Sequence, residues 1–360
     1  MRCIPILRIM LVVLTALPVY AAADTVNLSE SIRDKIEYIQ ATGDTRINGE
    51  TIKAEALLAA FYERRYFEPA WEDPAHIRAM ITAVKAAEAH GLTPAHYHLA
   101  ALQEMASRIP LTLTAGKPHD ANFDMVLTDS FFLLAHDLAS GRVDPSKLNP
   151  AWNYASVSRD ESLGGLLETA LGDGQIQDHL DGLAPAHPLY HWMKAALVQY
   201  RELAATGGWM PIPDGTRMDV GVSDERVPLL RERLRQTGDL SIDTDSDSLV
   251  FDETLARAVL RFQERTRVSR ESRLVDDADG AVGEETMASL NVPVDVRIQQ
   301  LRANLERCRW LLRDLPATYV LVDMAGYRGY FYKDDEINWL LRLQIVTSYY
   351  ETAYYRSSLK

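Results

Sequence analysis

Between Ser29 and about Trp209, apolar residues return at three- and four-residue steps, the period of helices with one buried face. The segment AEALLAAFY at 54–62 sets Leu57, Leu58, Phe61 and Tyr62 along one side, and Pro69-Ala70-Trp71 ends that element. An Ala-rich helix is predicted over 75–89, stopped by His90-Gly91. Thr93-Pro94 begins another, with Thr as cap and Pro in the first turn. A strongly apolar helix over 122–139 ends at Gly141, and 141–149 reads as a turn. Further helices are expected at 161–171, 175–182 and 188–205.

Pro211-Ile212-Pro213-Asp214-Gly215 is the clearest linker. A short module follows, to about Val292. Val227, Leu230 and Leu234 mark a first amphipathic helix ended by Gly238. Asp252 caps a second, Glu253 suits its positive start, and Leu255, Val259 and Phe262 face one way. Asp279-Gly280 makes a turn, Gly283 opens a third helix, and Met287 and Leu290 close the core. From Arg297 the period is helical again, through Ile298, Leu301, Leu305, Cys308 and Leu312. The pattern then changes: Tyr319–Asp323, Tyr327–Tyr332 and Ile337–Thr347 read as strands separated by Ala325-Gly326 and by the polar run Lys333–Glu336. Three strands this apolar need a covering layer.

Composition narrows the class. The 360 residues allow two or three domains at about 150 residues each. A hydrophobic fraction of 47% excludes a mostly disordered chain, and a net charge of −13 argues against nucleic acid as a partner. Residues 1–23 have the form of a cleaved export signal: Arg2 and Arg8, a short apolar run broken by Pro18, then Ala21-Ala22-Ala23. No stable transmembrane segment is expected after cleavage, and the mature chain is expected to be exported. Only Cys3 and Cys308 are present. Cys308 lies on the apolar stripe of its helix, and we read it as a small buried hydrophobe rather than a nucleophile.

Three clusters invite a site. His90, His96 and His98 lie close in sequence; a metal site is one reading, and a helix corner bent by Gly91 and Pro94 is the preferred one. Asp243, Asp245 and Asp247 alternate like a calcium loop, but Ser248 and Thr254 stand where that loop needs Gly and Glu, so a solvated acidic turn is expected. Arg261, Arg265, Arg267, Arg270 and Arg273 form a basic stretch, read either as a carboxylate-gripping surface or as a solvated helix face. No metal site and no cofactor are expected.

Several segments resemble the L,D-transpeptidase family, in its large periplasmic form with a helical scaffold and a peptidoglycan-binding module. FYERRYFEPAW at 61–71, HGLTPAHYH at 90–98 and LTDSFFLLAHDLASGRVDP at 127–145 resemble the scaffold. FDETLARAVLRFQ followed by DGAVGEETMASLNV is similar to three-helix peptidoglycan-binding modules, with a polar insert between Arg267 and Asp279 as a departure. The run RIQQLRANLERCRWLLRDL, then TYVLVD and a G-Y-R hairpin, looks like the entry to the catalytic domain. The resemblance implies a multidomain, mainly α fold: signal peptide 1–23, helical scaffold 24–215, binding-like module 216–293, and over 294–360 a linker helix with the first strands of an incomplete, mainly-β catalytic domain. The implied chemistry is Cys acyl transfer between diaminopimelate-containing stem peptides.

The family's Ser-His-Gly-Cys-type segment occurs nowhere in the chain, and all nine histidines precede Trp192. The chain is therefore expected to be a truncated member, inactive alone, with no catalytic residues to name. Its candidate wall contacts are Phe262, Gln263, Arg261, Arg265, Asp279, Gly280, Gly283 and Thr286, toward peptidoglycan stem peptides or glycan. A non-catalytic wall-binding scaffold, or a module of an unrelated wall hydrolase, are the other classes; a spacer role for the module is the alternative to wall contact.

Overall fold

In chain order the first elements are α1 (Tyr20–Thr42), a hairpin of β1 (Arg46–Ile47) and β2 (Glu50–Thr51), α2 (Glu55–Arg64) and α3 (Pro74–Ala86). They are followed by α4 (Leu99–Ser107), α5 (Ala121–Ser140), α6 (Pro145–Leu148), α7 (Asp160–Asp173) and α8 (Ile176–Asp181). The computed structural model describes residues 20–108, 120–148, 160–241, 247–266, 278–313, 315–323, 328–333 and 336–342. The described residues divide into two compact units, one within Met1–Glu88 and Leu92–Ala184, the other within Ala89–Gly91 and Pro185–Lys360.

The first unit is built around α5, which is buried on nearly every face. Asp120 caps it by accepting the Phe123 N–H at 3.1 Å, and Gly141 at φ 82° ends it. Phe131 and Phe132 pack with Phe61, Tyr62, Trp71, Met80, Val84 and Leu167 in one core. Phe61 meets Tyr62 and Phe132 edge-on at 5.2 and 5.7 Å. Each such side chain contributes about 1.5–3 kcal/mol on burial. Asp73 and Pro74 start α3 as a cap and first-turn pair, with Asp73 accepting from Ala75 N at 2.7 Å.

Two local expectations differ from what the chain does. Thr93 makes no side-chain cap; Pro94–Tyr97 is a single 3₁₀ turn, and the chain breaks at His98 (φ 56°) before α4. The cause is tertiary, because both nitrogens of the His98 ring are held by distant carboxylates. The segment 141–149 contains the short helix α6 rather than a plain turn.

The second unit contains α9 (Pro188–Ala205), α10 (Val227–Gln236), α11 (Glu253–Thr266), α12 (Glu284–Leu290) and α13 (Val294–Leu311). Strands β3 (Thr318–Asp323), β4 (Arg328–Lys333) and β5 (Glu336–Arg342) form an antiparallel sheet in the order β3-β4-β5. Helices α10, α11 and α12 enclose a separate core of Val227, Leu230, Leu234, Phe251, Leu255, Val259, Phe262, Met287 and Leu290. Asp252 caps α11 through the Leu255 N–H at 2.8 Å.

Helix α13 lies along α9. Its Arg302, Leu305 and Arg309, on one face at steps of three and four, meet the His90-Gly91 corner. Arg302 Nε donates to the Gly91 carbonyl at 2.9 Å, and buried Arg309 donates to the His90 carbonyl at 3.0 Å and the Tyr190 hydroxyl at 3.1 Å. Gly91 sits at φ 77°, and a Cβ there would stand 3.2 Å from Leu305 Cδ1 and 3.3 Å from Arg302 Cα. Backbone conformation and space both demand glycine. In the sheet, Tyr319 stacks on Tyr332 at 4.7 Å, and His187 Nε2 bonds the Tyr319 hydroxyl at 2.8 Å. Val320 and Val322 on β3 remain exposed.

The fold is thus mainly helical, with few strands among the described residues. Residues 1–19 of the expected export signal and positions 343–347 of the expected last strand lie outside the described residues.

Candidate functional site

Most of the candidate wall-contact residues gather around one side chain. Gln263 is buried on α11. Its Nε2 donates to the Ala281 carbonyl at 2.9 Å, the Thr286 hydroxyl at 3.0 Å and Asp279 Oδ1 at 3.4 Å. Its Oε1 accepts the Gly280 N–H at 3.0 Å. One carboxamide therefore satisfies both sides of the Asp279–Ala281 turn and the first turn of α12. Gly280 stands at φ 73°, where an added Cβ would lie 2.8 Å from the Ala256 carbonyl oxygen. Gly283 is extended (φ −93°) at the N-cap of α12, without a side-chain cap. Phe262 is buried in the module core beside Gln263.

Asp279 faces outward from this clasp. Burial opposes its charge, but the Ala281 N–H, Arg217 and Gln263 together hold its carboxyl below the usual range. Arg217 bridges Asp279 at 2.6 Å and Asp219 at 3.0 Å, and both carboxylates hold its charge firmly on.

Arg261 and Arg265, one helical turn apart, converge on Asp239 just after α10. Arg261 donates to the Asp239 carbonyl through Nε at 2.9 Å and NH2 at 2.6 Å. Arg265 grips its carboxylate as a fork, at 3.1 and 2.7 Å. Close by, buried Arg233 lies 3.6 Å from the centre of the Trp209 ring and donates to the Leu290 carbonyl at 3.0 Å. Arg297 donates to the neighbouring Ser289 carbonyl at 2.9 Å. Burial is the main cause that lowers Arg233 to about 10, with Arg297 and Arg265 adding like-charge repulsion. Arg267, Arg270, Arg273, Asp243 and Asp245 lie outside the described residues.

The three histidines go to three different networks. His90 Nδ1 meets the Tyr190 hydroxyl at 2.8 Å, and its Nε2 meets Lys194 Nζ at 2.7 Å. His96 takes Arg142 NH1 at 2.5 Å. His98 bonds Glu50 at 2.6 Å through Nδ1 and buried Asp129 at 2.8 Å through Nε2. Burial alone would lower the His98 pKa, but the two carboxylates raise it above the ordinary value. Both ring nitrogens face acceptors, which is the arrangement of an imidazolium. Among the described residues, no group of three His, Cys, Asp or Glu is placed to hold a metal ion, and no helix is long and apolar enough to cross a membrane. Cys308 is buried, its sulfur 3.9 Å from Met193 Sδ, and burial pushes its thiol up to about 11.

The FYERRYFEPAW segment is joined to α5 by a buried polar clamp. Asp124 accepts from the Tyr62 hydroxyl, from Ala70 N at 3.0 Å and from Trp71 N at 3.0 Å. Thr128 Oγ1 accepts from Trp71 Nε1 at 2.9 Å and lies 2.8 Å from the Tyr62 hydroxyl. Between them the chain turns through Tyr66 (φ 56°) and Phe67 (φ 64°), both left-handed without glycine. Such residues are strained. Arg33 above the Phe67 ring at 4.9 Å and the Phe67 N–H to Tyr62 O bond at 2.7 Å hold the turn.

Sequence reasoning left Asp124, Asp129, His98's partners, Arg233 and Arg297 unassigned. Only one signal lay unused: Asn48-Gly49, which at φ 51° and 86° turns the hairpin that carries Glu50.

Residues 56–197, which contain all three scaffold-like segments, match the family described as Scaffold domain. No curated protein matches the chain. The chain carries a helical scaffold domain over 56–197.

Proposed function

We propose that this chain is an exported, peptidoglycan-directed protein of the L,D-transpeptidase family, acting here by holding wall material rather than by acyl transfer. The observation that carries this reading is the scaffold-domain match over 56–197. It is supported by the Gln263 clasp, which gives a physical reason for the F-Q and DG-x-x-G-x-x-T pattern shared with wall-binding modules. The docking of Arg302, Leu305 and Arg309 on the His90-Gly91 corner adds support, because it joins two segments that separately resemble the family. Stem peptides offer carboxylates and amide edges, ligands suited to arginine forks and backbone donors. The non-catalytic reading rests on Cys308, whose buried thiol is a poor source of thiolate.

Purified sacculi test the proposal. Full-length protein is expected to co-sediment with them in a saturable way and to be released by high salt. Sedimentation equal to that of a non-binding control protein of similar charge would refute it.

A further inference from the structure

Arg233, Arg265 and Arg297 come from α10, α11 and α13, and they gather beside Tyr200 and Trp209 with one carboxylate, Asp239, among them. Arg233 and Arg265 share the Phe262 ring, their guanidinium carbons 6.0 and 5.4 Å from its centre. Arg233 and Arg297 donate to the adjacent carbonyls Leu290 and Ser289 at the end of α12. Three cations against one anion is an uncompensated excess, in a chain whose net charge is −13.

Arg233 is the telling member. It is 2% exposed, yet its hydrogen bonds go to the Leu290 carbonyl and the Thr237 hydroxyl, and its face rests on Trp209. Among the described residues no carboxylate is paired with it. A buried charge normally has a partner, because desolvation costs several kcal/mol per ion. Cations at a helix C-terminus gain only about 0.3–1 kcal/mol from the dipole, too little to offset that. Arg265, at 43% side-chain exposure, and half-buried Arg297 and Tyr200 keep the cluster reachable from solvent.

We propose that Arg233, Arg265 and Arg297 form an oxyanion-binding site for a carboxylate or phosphate group, with Arg265 and Arg297 at its mouth and Arg233 behind them. Guanidinium forks suit both oxyanions. The wall reading above bears only on the source: it favours the terminal carboxylate of a stem peptide.

Calorimetric titration of the full chain with N-acetyl-D-alanine and, separately, with inorganic phosphate tests the site. At least one probe is expected to bind saturably and to weaken as salt rises. Arg265→Gln and Arg297→Gln are each expected to lose about tenfold or more in affinity, from one charge-assisted contact. Arg257→Gln, an exposed change of the same charge on α11, is the control and should bind as the wild type does. Unchanged melting of the two half-exposed variants separates lost binding from lost fold. Binding of N-acetyl-D-alanine alone identifies a carboxylate source, and binding of phosphate alone a phosphate source; either supports the site. No saturable binding of either probe, or binding that both variants retain at the control level, overturns it. Sacculus sedimentation of the same variants separates the two readings: full retention with lost probe binding leaves the wall proposal to another surface, whereas probe binding without retention leaves the oxyanion site alone.

Discussion

Gln263→Ala should unfasten the turn between α11 and α12. The carboxamide makes two bonds to the turn backbone, at Gly280 N (3.0 Å) and Ala281 O (2.9 Å), and one to Thr286 Oγ1 (3.0 Å). Truncation leaves the Gly280 N–H and the Ala281 carbonyl without this partner inside a closed module. Each such group costs about 1–3 kcal/mol, while the Thr286 hydroxyl can rotate to relieve itself. A loss of about 3 kcal/mol is expected, which for a unit of about 180 residues corresponds to roughly 6–12 °C in melting temperature. Hydrogen exchange resolved over residues 278–290 is the assay, because it reports the turn directly. The Gly280 and Ala281 amides should lose protection before those of α9 or α13. Gln263→Glu discriminates the mechanism. It keeps an acceptor for Gly280 N–H but turns a carboxylate oxygen toward the Ala281 carbonyl and Asp279. Its folded-state pKa is then raised, so the penalty is absent below about pH 4.3 and is complete once pH has risen through the folded value. A loss under about 0.5 kcal/mol in Gln263→Ala, with amide protection unchanged, would refute the reasoning.

Gly280→Ala is expected to cost at least about 2 kcal/mol, since it adds left-handed strain to a 2.8 Å approach on Ala256 O; urea unfolding checks it. His98, with a folded pKa raised by Glu50 and Asp129, contributes stability that is complete below about pH 6.5 and is lost as pH rises through the folded value. The stability gap between wild type and His98→Gln, measured by denaturant titration, should therefore shrink as pH rises above about 6.5; a gap that widens contradicts the imidazolium assignment. With its thiol near 11, Cys308 should be alkylated by iodoacetamide at least about a hundredfold more slowly in native than in unfolded protein. Intact-mass measurement after incubation with a carbapenem should show no adduct, and an adduct removed by Cys308→Ser would overturn the buried-thiol reading.

Local chemistry made much of the architecture legible. The 3.6-residue period marked α2, α3, α5, α7, α8 and α9 to within a few positions, because an amphipathic helix writes its buried face into every turn. The strands after Tyr319 were legible for a different reason, β-branched, aliphatic and aromatic residues set between turn and polar segments. One misreading and one omission came from the same neighbourhood. The Thr93-Pro94 pair carries the residues of a helix start, but a histidine held by two distant carboxylates breaks the chain at position 98. The Asn48-Gly49 turn was readable and passed over, since two-residue strands have too short a pattern to stand out.

At the candidate site, the residue types were visible but their partners were not. Phe262 and Gln263 stood out as a pair, yet the sequence does not say that the carboxamide turns inward to Gly280 while Arg261 and Arg265 close on Asp239. Arg233 and Arg297 gave no signal, being ordinary arginines on amphipathic helices.

The sequence by itself determined the helical periods, the run of strand-forming residues after Tyr319 and the positions that need glycine to turn. These are properties of a residue and its nearest neighbours along the chain, governed by sterics and by which face must leave water. The tertiary structure alone decided which polar groups find which partners: His98 with Asp129 and Glu50, Asp124 with Trp71 and Tyr62, Arg233 with Trp209. Hydrogen bonds and ion pairs act over about 3 Å, and only packing brings groups far apart in the chain to that distance.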